Sequence, residues 1–211
     1  MEDAFQSIAA QITGEDSFVF FIAGHGESLD GKYYYLPHSF SVLSTISDGI
    51  SQDQLEEWIT SFKSANKLVL LDTCYSGTFI ENFWKSKLEY LLKNSKENKM
   101  MMVKKYESIF HKMYNATNAH FITAAAADEV ARESFDYGHG YFTYGLLQAF
   151  CPMQDNVIAR ITRSDSNSNS MIDDQELYLF ADNYLREILN APQHIQHNGK
   201  GRFEVGCLNI E

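Results

Sequence analysis

Apolar residues recur along this chain with two periods. Phe5, Ile8, Ala9 and Ile12 follow the i, i+3, i+4, i+7 spacing of one helical face and Gly14 comes next, which predicts a helix over 1–12. Ser17 to Ala23 (SFVFFIA) is a short run rich in Phe, Val and Ile, the pattern of a strand buried on both faces of a parallel sheet, and Gly24-His25-Gly26 is expected to end it. Lys32 to Leu36 (KYYYL) predicts a small strand or hairpin arm that stops at Pro37. Ser51 and Gln54 make a capping-box pattern ahead of Leu55, Trp58, Ile59 and Phe62, which predicts a second amphipathic helix. Lys67 to Leu71 (KLVLL) and Ala119 to Thr123 (AHFIT) predict two more strands, the first running into Asp72-Thr73-Cys74-Tyr75-Ser76-Gly77. Tyr141 to Phe150 reads as a helix, as does Glu176 to Leu189 with Leu177, Phe180, Ala181, Tyr184 and Ile188 on one side. Strands alternating with helices predict an α/β fold with a mainly parallel sheet flanked by helices, in a single domain over 1–211.

Ligands of open parallel sheets bind just beyond the carboxyl ends of the strands. Two reactive residues stand at such ends: His25 after SFVFFIA and Cys74 after KLVLL. A thiol with the ordinary pKa of about 8.5 is mostly protonated at neutral pH, so a neighbouring imidazole that takes and returns the proton is what thiolate catalysis needs. Gly26 leaves a backbone N–H open to a substrate carbonyl, and with the N–H of Cys74 it could form an oxyanion hole. Gly77 would permit a tight turn. Taken singly, His25 reads as a turn histidine and Cys74 as a small buried apolar residue. The two motifs together favour catalysis.

FFIAGHGES and LVLLDTCYSG resemble the His and Cys motifs of the caspase-like cysteine peptidases, more closely those of bacterial metacaspases and orthocaspases than those of animal caspases. FITAAAADEVARES followed by GHGYFTYGLLQAF is similar to the same group, so the resemblance covers most of Ser17 to Phe150. It implies a caspase-like α/β/α sandwich and a cysteine endopeptidase with His25 as general base and acid and Cys74 as nucleophile. It also implies that Asp72 lies in an acidic S1 pocket accepting Arg or Lys, which suits the pairing of a carboxylate with guanidinium or ammonium. The other reading of Asp72 is a carboxylate that caps local backbone N–H groups. Asp128, Glu129 and Glu133 could add negative charge to the cleft or lie on the surface. Only one helix precedes Ser17, whereas the family opens with strands. The expectation is therefore a sheet shortened at its N-terminal edge, completed by a preceding segment or a partner chain, or else exposing an edge strand. The alternative function is a catalytically inactive scaffold or partner-binding subunit.

Rival sites are fewer. His139 stands in a second Gly-His-Gly, before a helix rather than after a buried strand, which suits a turn or a substrate groove. A phosphatase loop would need Arg where Ile80 stands, and a nucleophile elbow would need Gly two residues before Ser76. Residues 165–176 fit a twelve-residue calcium loop, with Asp165, Asn167, Asn169, the Met171 carbonyl, Asp173 and Glu176 at positions 1, 3, 5, 7, 9 and 12. Ser170 replaces the usual Gly and two early ligands are neutral, so any Ca²⁺ binding there is expected to be weak. A polar loop of Asx turns is the competing reading. The peptidase chemistry itself requires no cofactor.

Composition narrows the rest. The chain carries 17 Lys plus Arg against 28 Asp plus Glu, a net charge of −11 that disfavours nucleic acid and anionic membranes as partners. The longest apolar stretch is far below the roughly 20 residues of a membrane span and no basic leader is present, which predicts a cytoplasmic protein. Cys74, Cys151 and Cys207 are too few and too scattered for a disulfide framework, so free thiols are expected. From Glu81 to Met113, eight lysines face four glutamates, so a basic segment interrupts an acidic body. This divides the chain into 1–80 with the His and Cys motifs, a Lys-rich insertion over 81–118, and 119–211 with the candidate calcium loop. The insertion is either a solvated connector or a linker that the protein cuts itself, for example at Lys104-Lys105, since its lysines match a cleft for basic residues.

Overall fold

A computed structural model describes residues 1–29, 32–41, 44–64, 66–75, 119–124, 131–150, 164–199 and 202–207. The Lys-rich insertion, Ser76, Gly77, Ile80, Asp128, Glu129 and Cys151 lie outside these. Among the described residues the central sheet has six strands: β1 (Ser17–Leu29), β2 (Lys32–Leu36), β3 (Ile50–Ser51), β4 (Asn66–Tyr75), β5 (His120–Thr123) and β9 (Gln196–Asn198). Their order is β3-β2-β1-β4-β5-β9. The middle of the sheet is parallel, β1 with β4 and β4 with β5, while β2, β3 and β9 join antiparallel at its flanks. Among the described residues β6 (Glu133–Ser134) pairs with β7 (His139–Gly140), and β8 (Met171–Asp173) with β10 (Glu204–Cys207), in two small ribbons.

Helices cover both faces. α1 (Glu2–Ala9) and α2 (Gln52–Ser61) place Phe5, Leu55 and Ile59 against Phe18, Ile22, Val69, Leu71 and Phe121. On the other face, α3 (Tyr141–Phe150) and α4 (Asp174–Asn183) pack Phe142, Leu146, Leu177 and Phe180 against Leu68, Leu70 and Ile122. Alternate β4 residues thus enter different cores, as the two-residue period of a strand requires. Burial of side chains such as Leu55 and Ile59 contributes about 1.5–3 kcal/mol each.

Three expectations change. β1 does not stop at Gly24 but runs on through Leu29, because β2 pairs with it from His25 to Leu29. β1 is also not buried on both faces: Phe18 and Ile22 are buried, whereas Val19 and Phe21 are each 45% exposed. The terminal helix begins two residues before Glu176 and gives way to a π-turn over Tyr184–Ile188. The side of β1 away from β4 is occupied by β2, with the two-residue β3 beyond it. Among the described residues no helix is long and apolar enough to cross a membrane.

Candidate active site

The parallel register of β1 and β4 runs without interruption from Ser17↔Asn66 to Gly26↔Tyr75. It sets Ala23 beside Asp72, Gly24 beside Thr73 and His25 beside Cys74. Adjacent strands lie about 4.8 Å apart, so His25 and Cys74 are immediate neighbours at the carboxyl end of the parallel pair. His25 is exposed.

The backbone around His25 is shaped from the opposite face by two tyrosines of β2, which sequence reasoning did not single out. A Cβ on Gly26 would lie 2.7 Å from the ring of Tyr33, and one on Gly24 would lie 3.0 Å from the Tyr35 hydroxyl. Gly24 also has φ +140°, a conformation that side chains other than glycine's rarely adopt. Both hydroxyls then tie β2 to the site. Tyr33 donates to Thr73 Oγ1 at 3.2 Å, next to Cys74, and Tyr35 donates to the Ala23 carbonyl at 3.0 Å, two residues before His25. Burial pushes the Tyr33 phenol well above its ordinary value, so it stays a neutral donor. The available signal was the spacing: two tyrosines two residues apart match two glycines two residues apart.

Asp72 is joined to the N-terminus of α3. Gly140 precedes this helix and has no side chain to cap it, and the Asp72 carboxylate substitutes by accepting from both the hydroxyl and the amide of Thr143. Gly140 permits this approach, since a Cβ there would lie 2.8 Å from Asp72 Oδ2. Burial pushes the Asp72 carboxyl above the usual carboxylate range; the two Thr143 donors act in the opposite sense, and the nearby Glu133 charge adds to the upward push. Beside it an open pocket of about 300 Å³ is lined by Glu133, Ser134, Phe135, Gly138, His139 and Gly140. Asp72 therefore caps backbone, but that of a helix 71 residues away rather than the local amides one reading expected, and it lies against Gly140, which lines the recess. His139 belongs to this recess, on β7, rather than to the strand ends carrying His25 and Cys74.

The loop at 165–176 folds on its own carboxylates and amides. Asp165 accepts from the amides of Asn169 (3.1 Å) and Ser170 (2.8 Å), and Asn169 Oδ1 accepts from Met171 N–H at 2.9 Å. Glu176 Oε1 accepts from the amides of Ser166 and Asn167, while Asp173 caps α4 at the Glu176 amide, 2.7 Å away. Ser168 and Ser170 both have positive φ, near 60°, so Ser170 takes the conformation for which glycine is usual at position 6. The Asx-turn and calcium readings share this geometry.

Residues 1–170 match the family model of the caspase domain. A comparison with curated proteins found no match.

Proposed function

The chain belongs to the caspase-domain family of cysteine-type peptidases, and from that premise we propose that it is an endopeptidase working through Cys74 and His25 and cleaving after Arg or Lys. The observation that carries the proposal is the register pairing of His25 with Cys74 at the carboxyl ends of two adjacent parallel strands. In the reaction His25 takes the Cys74 proton, and the thiolate attacks the scissile carbonyl carbon. The tetrahedral oxyanion accepts hydrogen bonds from the Gly26 and Cys74 amides. The C–N bond then breaks, His25 returns the proton to the leaving amine, and a thioester remains on Cys74. His25 next deprotonates a water, which attacks the thioester, releases the carboxylic acid and restores the thiol. No cofactor takes part.

Asp72 supports the preference for a basic residue. It is a carboxylate beside an acidic recess, and a cation placed against it would relieve the repulsion that Glu133 imposes. The same preference makes the protein's own lysines over 81–118 a first substrate. Fluorogenic peptides with Arg, Lys or Asp at P1 test the proposal: turnover of the first two only, abolished in Cys74→Ala, is expected. Equal turnover by wild type and Cys74→Ala would remove the dyad, and preferred cleavage after Asp would remove the Asp72 assignment. An intact mass that falls on incubation of wild type and stays constant in Cys74→Ala tests self-cleavage.

The loop at 165–176 is assigned as a weak Ca²⁺ site, supported by the positive φ at Ser168 and Ser170 and by the Asp165, Asp173 and Glu176 carboxylates around it. Calorimetry with millimolar Ca²⁺ should give binding heat for wild type and weaker binding for Glu176→Gln. Absence of heat in both removes the site.

A further inference from the structure

A second cluster of reactive side chains lies at the far side of the sheet. His120 begins β5, Asp174 is the first residue of α4 and His197 is the middle residue of β9. Asp174 is fully buried, His120 is 8% exposed and the His197 side chain is 15% exposed. Both imidazoles turn to one carboxylate oxygen: His120 Nδ1 lies 2.6 Å and His197 Nε2 2.8 Å from Asp174 Oδ2. The second oxygen, Oδ1, accepts from the Phe203 amide at 3.1 Å, which fixes the carboxylate plane. One ligand atom from each of the three residues lies within 4.8 Å of the others. Asp174 and His197 stand beyond the span that matches the caspase domain.

We propose that His120, Asp174 and His197 form a binding site for a borderline divalent cation of the Zn²⁺ class. Two imidazoles and one carboxylate on three separate elements are a donor set that suits Zn²⁺ and leaves a fourth position for water. Imidazole nitrogen distinguishes this site from the all-oxygen loop at 165–176, which suits Ca²⁺. The surroundings match a metal site in three ways. The Phe203 amide holds the outer carboxylate oxygen, the role played by the partners behind first ligands. The rings are held by aromatic neighbours, Phe203 edge-on to His120 at 5.0 Å and Tyr178 stacked on His197 at 5.4 Å between centroids. Gly199 leaves room at the ligand atom itself, since a Cβ there would fall 2.5 Å from His120 Nδ1.

Metal bonds of about 2.0–2.1 Å in a tetrahedron separate ligand atoms by roughly 3.3 Å. Entry of the ion therefore opens the two short N···O contacts, that of His120 by about 0.7 Å and that of His197 by about 0.5 Å. The hydrogens now shared with Asp174 move to the other ring nitrogens or to solvent.

The test is Zn²⁺ titration of the full chain carrying Cys74→Ala, which removes the thiol of the proposed dyad and leaves Cys151 and Cys207 common to both proteins, compared with the same chain carrying His197→Gln as well. Glutamine keeps an N–H for Asp174 but is a poor ligand, so a hydrogen-bonded clasp survives the change and a metal site does not. One equivalent of Zn²⁺ is expected to bind the first protein, raising Tm by about 5 °C at saturating metal. In the second, affinity falls at least about 100-fold. No binding by the first protein, or equal affinity in both, overturns the proposal. Should His197→Gln fail to fold, the ring ¹⁵N resonances of ¹⁵N-histidine-labelled Cys74→Ala protein decide: His120 and His197 must shift with one equivalent of Zn²⁺. Shifts confined to other histidines overturn it.

Discussion

The tripeptide Gly-His-Gly occurs twice, and the two copies are built for different work. At Gly24-His25-Gly26 it lies inside a thirteen-residue strand with a parallel neighbour on one side and an antiparallel one on the other. At Gly138-His139-Gly140 it closes a four-residue ribbon and leads into α3. The first glycine of each has positive φ, +140° at Gly24 and +66° at Gly138, but Gly24 faces Tyr35 whereas, chain neighbours aside, no atom of the described residues lies within 4 Å of a Cβ at Gly138. The second glycine of each admits a close neighbour, the Tyr33 ring at Gly26 and the Asp72 carboxylate at Gly140. Chemistry is therefore assigned by what the flanking glycines admit and by which residue the register sets alongside. One copy neighbours Cys74; the other packs against the carboxylate assigned to substrate binding.

The largest expected effect separates the two histidines. His25→Ala should lower kcat/KM by about 10³–10⁴, the range typical of losing one member of a catalytic unit, whereas His139→Ala should stay within about tenfold. Steady-state kinetics on one good substrate reads both. The reverse order would move the dyad to His139.

Next come the second glycines. Gly26→Ala drives a Cβ into Tyr33 beneath the strand, so it should cost about 1–3 kcal/mol in urea unfolding and reduce kcat for every substrate. Gly140→Ala presses on Asp72 instead, and should weaken the Arg or Lys preference more than turnover of other peptides. If both variants lose stability and selectivity alike, the two copies are not distinct.

Asp72→Asn then isolates the charge. Loss of about 2 kcal/mol of pairing with a P1 cation means roughly a 30-fold fall in kcat/KM for Arg peptides, with little change for neutral ones. The wild-type profile should rise with pH as Asp72 ionises, at a pH above the ordinary carboxylate range, and this limb should vanish in the variant. Stability carries the opposite sign. The folded carboxyl keeps its proton to higher pH than the unfolded one, whose pKa is about 3.9. Its contribution is present below that value and is lost as pH rises through the raised folded pKa. Urea midpoints for wild type and Asp72→Asn should therefore diverge with rising pH, the variant being spared the loss.

What could be read in advance was local. The capping box at Ser51 and Gln54 forms as its spacing predicts, and α3 spans Tyr141–Phe150, because caps and apolar periods need only neighbours in sequence. That His25 and Cys74 would stand at neighbouring strand ends was legible because two adjacent parallel strands bring their carboxyl ends to one edge of the sheet. The end of β1 was misread because glycine, which often punctuates a strand, is here required by two rings of the adjoining strand. The Asp72 cap on α3 joins positions 71 residues apart, and the His120–Asp174–His197 cluster draws on three elements. Neither has a local period to betray it, and strands of two to four residues such as β7, β9 and β10 are too short to show one.

The smallest effect concerns the β2 tyrosines whose rings meet the glycines of the first copy. Tyr33→Phe keeps the ring on Gly26 and removes one hydrogen bond to Thr73, about 1 kcal/mol of stability. If that bond only tethers β2, activity should be unchanged. If it also fixes the backbone beside Cys74, kcat should fall a few-fold at constant KM, because a slightly misplaced nucleophile weakens the transition state more than the bound substrate. Tyr35→Phe removes an equivalent bond, to the Ala23 carbonyl two residues before His25. The expected result is a kcat effect for Tyr33 exceeding that for Tyr35, since Thr73 adjoins Cys74 directly while Ala23 is separated from His25 by a glycine. Equal effects would mean that the hydroxyls stabilise the hairpin alone, and that the glycines owe their place to the rings.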